Sequence, residues 1–298
     1  MNLPAEPPPL QRVRCTHGDV AWREAGSGAP LVLLHGIGSG SASWAGQFEG
    51  LSATHRVIAW DAPGYGKSAA LDVPLPLAGD YVRVLAEWLA AIDVQAPCVV
   101  GHSLGAIVAA AWAVASAAAP TATTAGPVVL ILASPARGYG AAPETERNAK
   151  HQDRLAMLDR LGIDGLAVQR SANLCAPGAS AAVLEAVRSN MARATAGGYR
   201  QAAHLLAHDD LATHLALLAR APRAKLPVAV LCGELDRVTP PQACRELAEH
   251  FDLPFTLLPN VAHACYVEDP LQFNAALQTC LGQRLSPAAQ AAQAAHHV

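Results

Sequence analysis

The sequence predicts an α/β fold, a mostly parallel, doubly wound sheet interrupted by an all-helical insertion. Three observations carry that prediction. Between residues 31 and 133, short apolar runs rich in Val, Ile and Leu recur, each ending in a turn signal, as expected of strands buried on both faces. Helical stretches alternate with these runs, which implies a parallel sheet covered on both sides. After Ser134 roughly 85 residues keep helical periodicity without a buried strand, and the alternation then resumes.

Taken in order, LVLLHG (31–36) is the first strong strand, followed by a glycine-rich turn, and HRVIAWD (55–61) is the next. Residues 78–92, AGDYVRVLAEWLAAI, carry apolar side chains at spacings of three and four and read as an amphipathic helix. The strand PCVVGHS (97–103) leads into an alanine-rich helix over 104–118, and PVVLILASPA (127–136) is the following strand. Within the insertion, HQDRLAMLDRLG, SAAVLEAVRSNMARAT and YRQAAHLLAHDDLATHLALLARA are helical. LPVAVLCGELD, the helix QACRELAEHF, PFTLLPNVAH and a last helix over 270–281 complete the pattern. The expected organisation is a flexible 1–11, a core formed by 12–136 and 223–282, a helical insertion over 137–222, and a disordered, low-complexity tail over 283–298.

Composition narrows the function classes. The chain has 298 residues, 52% of them hydrophobic and only 15% charged, with a formal net charge of −3. That balance fits a soluble globular protein and offers no basic surface for nucleic acid or anionic lipid. A small-molecule partner is expected. Seven cysteines without CxxC spacing fit a reducing cytoplasm better than a disulfide framework. The proline-rich start MNLPAEPPPLQR does not read as an export signal. The uncharged run over 106–119 is too short and too alanine-rich to span about 20 residues of bilayer.

The chemistry centres on Gly101-His102-Ser103-Leu104-Gly105. A serine hydroxyl is a weak nucleophile, so it needs a base, a group that orients the base, and donors for the oxyanion. Here the serine stands between a buried strand and a helix, where the chain turns sharply enough that residues two before and two after must be small. Composition alone produces such a five-residue match in about one chain in ten, so the partners decide the matter. In open α/β sheets functional groups gather at the carboxyl ends of strands. That rule selects Asp236, at the end of LPVAVLCGELD, to orient the base, and His263, after PFTLLPNVAH, as the base itself. Glu234 and Asp210 are rival acids.

Glycines 36, 38 and 40 after the first strong strand let backbone amides approach a substrate oxygen, and the oxyanion donors are assigned to the amides of Ile37 and Leu104. His35 is expected to order this loop rather than to react. Gly36, His102 and Arg137 are expected near substrate, Arg137 either pairing with a substrate carboxylate or anchoring the insertion to the core.

These motifs carry a resemblance. HG with its glycine-rich loop and Trp44, Asp61-Ala-Pro63-Gly64-Tyr-Gly66-Lys-Ser68, GHSLG, GELDRVTPP and AHACYVEDPLQFN together resemble the α/β-hydrolase superfamily over residues 12–282. The resemblance places the insertion where that family carries its cap. Within the superfamily the chain is similar to 3-oxoadipate enol-lactonase-like and carboxylesterase-like members. It implies hydrolysis of a small carboxylic ester or lactone through an acyl-enzyme, with no metal and no organic cofactor. Dehalogenases and epoxide hydrolases of this fold place aspartate at the nucleophile position, where this chain has Ser103.

The alternatives kept open are a carbon–carbon bond hydrolase, a cofactor-free perhydrolase or an acyltransferase of the same fold; a non-enzymatic receptor is disfavoured by the intact set of groups. A monomer or homodimer is expected. His204 and His208, four apart on a helix, form half of a metal site but lack a third ligand at a defined spacing, so they are read as one polar face of a helix. Cys265 is read as a buried, inert thiol.

Overall fold

The structure is a computed structural model and describes residues 6–118, 126–221 and 226–282. The expected tail over 283–298 lies outside the described residues, as do the first five residues of the expected flexible N-terminus.

The described residues form one eight-stranded sheet in the order β1-β2-β4-β3-β5-β6-β7-β8. The strands are β1 (Gln11–Cys15), β2 (Gly18–Ala25), β3 (Ala29–Leu34), β4 (His55–Trp60), β5 (Cys98–His102), β6 (Val129–Ala133), β7 (Val228–Gly233) and β8 (Phe255–Leu258). From β4 to β8 every neighbouring pair is parallel, while β1 and β2 add antiparallel strands at one edge. The sequence gives β1 and β2 little signal. They mix Arg, Asp and Glu with apolar residues, and β1 is exposed except at Val13 and Cys15.

The apolar runs are buried on both faces because successive strand residues point to opposite sides. Val32, Leu34, Ile58, Trp60, Leu130 and Leu132 pack into one core. Their neighbours Leu31, Leu33, Val57, Ala59, Val129 and Ile131 pack into a second core on the other side. The first face is covered by α2 (Ala78–Ala91), α3 (Leu104–Ala118) and α8 (Pro241–His250), and the second by α1 (Ala45–Leu51) and α10 (Pro270–Gly282). Helix α3 is buried all round its first ten residues, which is what its alanines permit: small side chains let it sit close to β5 and α2. No helix among the described residues is long and apolar enough to cross a membrane.

Between β6 and β7 the described residues hold four helices and no strand: α4 (Glu144–Leu174), α5 (Ala181–Met191), α6 (Ala196–His208) and α7 (Leu211–Ala219). Helix α4 is broken at Gly162, whose φ of 64° takes the backbone out of the helical region. The last of the four differs from its expected surroundings. Helix α7 packs beside α3, with Leu211 and Leu215 in the first core, so it extends the helix layer over the sheet. The chain leaving β6 and the chain entering α7 run side by side, with the Leu211 amide donating to the Arg137 carbonyl at 2.8 Å and Gly138 bridging Asp210.

Candidate active site

Ser103 is the single residue between β5 and α3, and its φ of 52° is a left-handed conformation that costs a non-glycine residue about 1–3 kcal/mol. The fold holds it there with three backbone hydrogen bonds. The Ser103 amide donates to the Ala133 carbonyl at 3.0 Å, and its own carbonyl accepts from Ala106 and Ala136 at 3.1 Å. The flanking glycines are obligatory. A Cβ at Gly101 would stand 2.5 Å from the Gly105 carbonyl, and one at Gly105 would stand 2.3 Å from the Leu34 carbonyl.

At the end of β7, Asp236 is buried and fully engaged. Its Oδ1 accepts from the amides of Val238 (2.8 Å) and Thr239 (2.9 Å), and its Oδ2 accepts from Thr239 Oγ1 (2.7 Å) and His263 Nδ1 (2.8 Å). Burial works to raise its pKa, but the His263 charge and these hydrogen bonds outweigh it and bring the carboxyl down to about 2. With Nδ1–H donated to Asp236, the other ring nitrogen of His263 is left as the basic one. Ser103 and His263 line one cavity, with an empty volume of about 380 Å³, together with Gly36, Ile37, His102, Leu174, Val187 and Asn190.

Of the predicted oxyanion donors, Ile37 lines this cavity, and Leu104 follows Ser103 directly and lines a neighbouring space with His35 and Gly36. Leu104 opens α3, so its amide has no intrahelical acceptor and sits at the positive end of the helix. Ile37 belongs to the glycine loop after β3. Gly36 approaches so closely that a Cβ there would meet Ser103 Cβ at 2.7 Å. His35 orders this loop, as expected: its Nδ1 donates to the Gly36 carbonyl (2.8 Å) and its Nε2 accepts from the Ala62 amide (3.0 Å). Those two bonds fix its tautomer, and burial lowers its pKa, so the ring is neutral.

Several groups escaped the sequence reading. Ser39 Oγ, Tyr266 OH and Ser43 Oγ form a chain at 3.1 and 3.2 Å that ends at the Gly40 carbonyl, 2.7 Å from Ser43 Oγ, and so pins the glycine loop to the segment after His263. Tyr266 also stacks on Trp44 with ring centroids 4.1 Å apart. Glu268 is buried; its Oε1 accepts from Ala262 (2.8 Å) and its Oε2 from Ala176 (2.6 Å), which ties the His263 loop to the segment after α4. A glutamate five residues past a candidate histidine has no pattern of its own in the sequence, because both its partners are backbone amides. Asn190 lines the cavity from α5, with Nδ2 on the Ala186 carbonyl and Oδ1 buried without a partner.

Other expectations resolve differently. Arg137 does not join the cavity around Ser103; it lines a separate cleft with Ala212, Glu246 and His250, and its carbonyl closes the base of the helical segment. The rival acids have structural partners: Asp210 caps α7 through the Thr213 amide, and Glu234 accepts from the Asn260 amide. Asp61 holds the glycine loop through the Ser41 amide at 2.8 Å. Cys265 is fully buried, and burial pushes its thiol well above the ordinary range.

A strained serine on a strand-to-helix elbow, an aspartate-bound histidine and a glycine loop, all at the carboxyl edge of a parallel sheet, define a hydrolase-type site. The chain belongs to the alpha/beta hydrolase family, whose model matches residues 31–276. Among solved structures it is similar to a thermophilic esterase from Thermogutta terrifontis (24% identity, 92% of this chain and 98% of that one, TM-score 0.77). A hydrolase from Pseudomonas aeruginosa is similar to the same extent (26% identity, 92% and 98% covered, TM-score 0.76). Among curated proteins, an (E)-2-((N-methylformamido)methylene)succinate hydrolase of Acinetobacter baylyi is 36% identical over 85 residues, 28% of this chain and 32% of that protein. The chain spans about a third of the length of the curated relatives it matches.

Proposed function

We propose that the protein is a serine hydrolase that cleaves a small, uncharged carboxylic ester or lactone through an acyl-enzyme. The observation that carries this reading is the joint lining of one cavity by Ser103, His263 and the glycine loop, with His263 held by Asp236 at 2.8 Å. In this reading His263 takes the Ser103 proton as Oγ attacks the carbonyl carbon. The amides of Ile37 and Leu104 receive the negative charge of the tetrahedral intermediate, and Asp236 stabilises the imidazolium without accepting its proton. His263 then protonates the leaving alcohol, and later activates the water that releases the acid.

The substrate class follows from the walls. Leu174, Val187, Ala264 and Val267 are apolar, and among the described residues the cavity is lined by neither lysine nor arginine. A substrate carboxylate would have no cation to meet there, which separates this site from the succinate derivative in the Acinetobacter baylyi hydrolase's name. Leu174, Val187 and Asn190 come from the helical segment, so that segment serves as the cap that shapes the pocket.

Labelling with a fluorophosphonate tests the nucleophile. The wild type should be labelled and Ser103→Ala should not; an unlabelled wild type would overturn the assignment. Turnover of p-nitrophenyl acetate well above that of a p-nitrophenyl hemisuccinate is expected from the uncharged walls, and the reverse order would refute the substrate class.

A further inference from the structure

The helical segment carries a second cluster, away from the serine. His204 and His208 stand one turn apart on α6, with rings stacked at 4.1 Å, and His151 of α4 meets both edge-on at 5.2 and 5.5 Å. One ring nitrogen from each lies within 4.8 Å of the others. The sequence offered only the pair at i and i+4; the third imidazole comes from the neighbouring helix, and only the packing of α4 on α6 supplies it.

We propose that His151, His204 and His208 bind one divalent transition-metal cation, of the Zn²⁺ or Cu²⁺ type, which clamps the first half of α4 to α6. The ligand set is three nitrogens with the fourth position open to water, which suits borderline cations and not Mg²⁺ or Ca²⁺. Tetrahedral bonds of about 2.0–2.1 Å put the nitrogens about 3.4 Å apart, so modest ring rotations close the site. All three side chains are half-buried.

The hydrogen bonding is what a ligand set needs. His208 Nδ1 faces the His204 carbonyl at 3.1 Å, and only an N–H can satisfy an oxygen, so Nε2 carries the free lone pair. Orientation of a ligating imidazole by a backbone carbonyl on its other nitrogen is the usual outer support of such sites. Asn148 Oδ1 lies 3.4 Å from that Nε2, too far to hold it strongly. His204 Nδ1 is buried with no partner at all. Burial, then the charges of His208 and His151, bring His204 down to about 4, and burial and His208 lower His151 as well.

The test uses the full chain, stripped with a chelator and titrated with ZnCl₂ by calorimetry, and with CoCl₂ by visible absorption. One equivalent should bind, with cobalt d–d bands and no thiolate charge-transfer band, and Mg²⁺ should not compete. His151→Gln and His204→Gln should each weaken binding on the order of 100-fold or more while leaving fluorophosphonate labelling of Ser103 intact. A variant with His296 and His297 both changed to Ala should bind as the wild type does. Wild-type affinity in His151→Gln, binding lost with the tail histidines, or a thiolate band would each overturn the proposal.

Discussion

His102 donates from Nε2 to the backbone carbonyl of His263 at 2.8 Å, so the residue next to the serine holds the main chain of the proposed base. Its Nδ1 is buried and unpartnered, and burial, followed by the His263 charge, brings the ring down to about 3. The unfolded chain takes up this proton near pH 6.5 and the native state does not, so stability contributed by the neutral ring is lost as pH falls from about 6.5 toward 3. The cost is at most about 1.4 kcal/mol per pH unit. Denaturant unfolding of wild type and His102→Asn between pH 6.5 and 4 should show a shallower loss in the variant. Parallel curves would rule this out.

Asp236→Asn should lower kcat for a p-nitrophenyl ester by about 10⁴, since the amide favours the wrong histidine tautomer. Thr239→Val removes one hydrogen bond to the same carboxylate, worth about 1.5–3 kcal/mol, and should lower kcat by about tenfold or more. Because the Asp236 pKa lies near 2, the stability it contributes is complete above its unfolded value near 4 and is lost only as pH falls toward 2. The fold-loss of kcat in Thr239→Val should therefore be the same at about pH 6 as at about pH 8, since Asp236 stays ionised across that range.

Gly38 has a φ of 74°, and a Cβ there would stand 2.9 Å from Met191 Cε. Gly38→Ala should destabilise the protein by about 1–2 kcal/mol and lower kcat more than it changes KM, because the loop bearing the Ile37 amide is displaced. Adding Met191→Ala should restore part of the activity by removing the collision while leaving the backbone strain. No recovery in the double variant would show that contact with Met191 is immaterial.

Glu268→Gln leaves one carboxamide oxygen for two buried amides, Ala262 and Ala176. The orphaned amide should cost about 1–3 kcal/mol, read as a lower midpoint in urea, and esterase activity should fall as the His263 loop loosens. Glu268→Asp, which keeps the charge but shortens the reach, should be impaired as well.

Legibility in the sequence followed the kind of force involved. The central strands were plain because residues buried on both faces make unbroken apolar runs, and Ser103, Asp236 and His263 because each ends such a run. Strands β1 and β2 were missed because both mix charged with apolar residues, β1 at the sheet edge and β2 beside it with only its middle residues buried. Tyr266 and Glu268 were missed because their partners are hydroxyls and backbone amides, which leave no pattern of side-chain types in the sequence. Arg137 was expected either beside the substrate or as an anchor of the insertion because it follows β6; its side chain lines another cleft and its carbonyl accepts from the Leu211 amide. His151 was invisible for a third reason: it has no spacing relation to His204 and His208, only a spatial one.

The Arg137–Leu211 hydrogen bond and the Gly138–Asp210 bridge bring the two ends of the stretch that carries α4, α5 and α6 side by side. A segment whose ends meet is a cassette. It can be exchanged for another of different length and lining without moving the strand ends that bear Ser103, Asp236 and His263, so new selectivity can be grafted onto an unchanged scaffold. The seams at Leu174 and Ala176, which touch Ala264 and Glu268, at Arg193–Thr195, which meet Gly64–Gly66, and at Gln201, which holds Leu71 and Val73, have to be copied faithfully in any such graft.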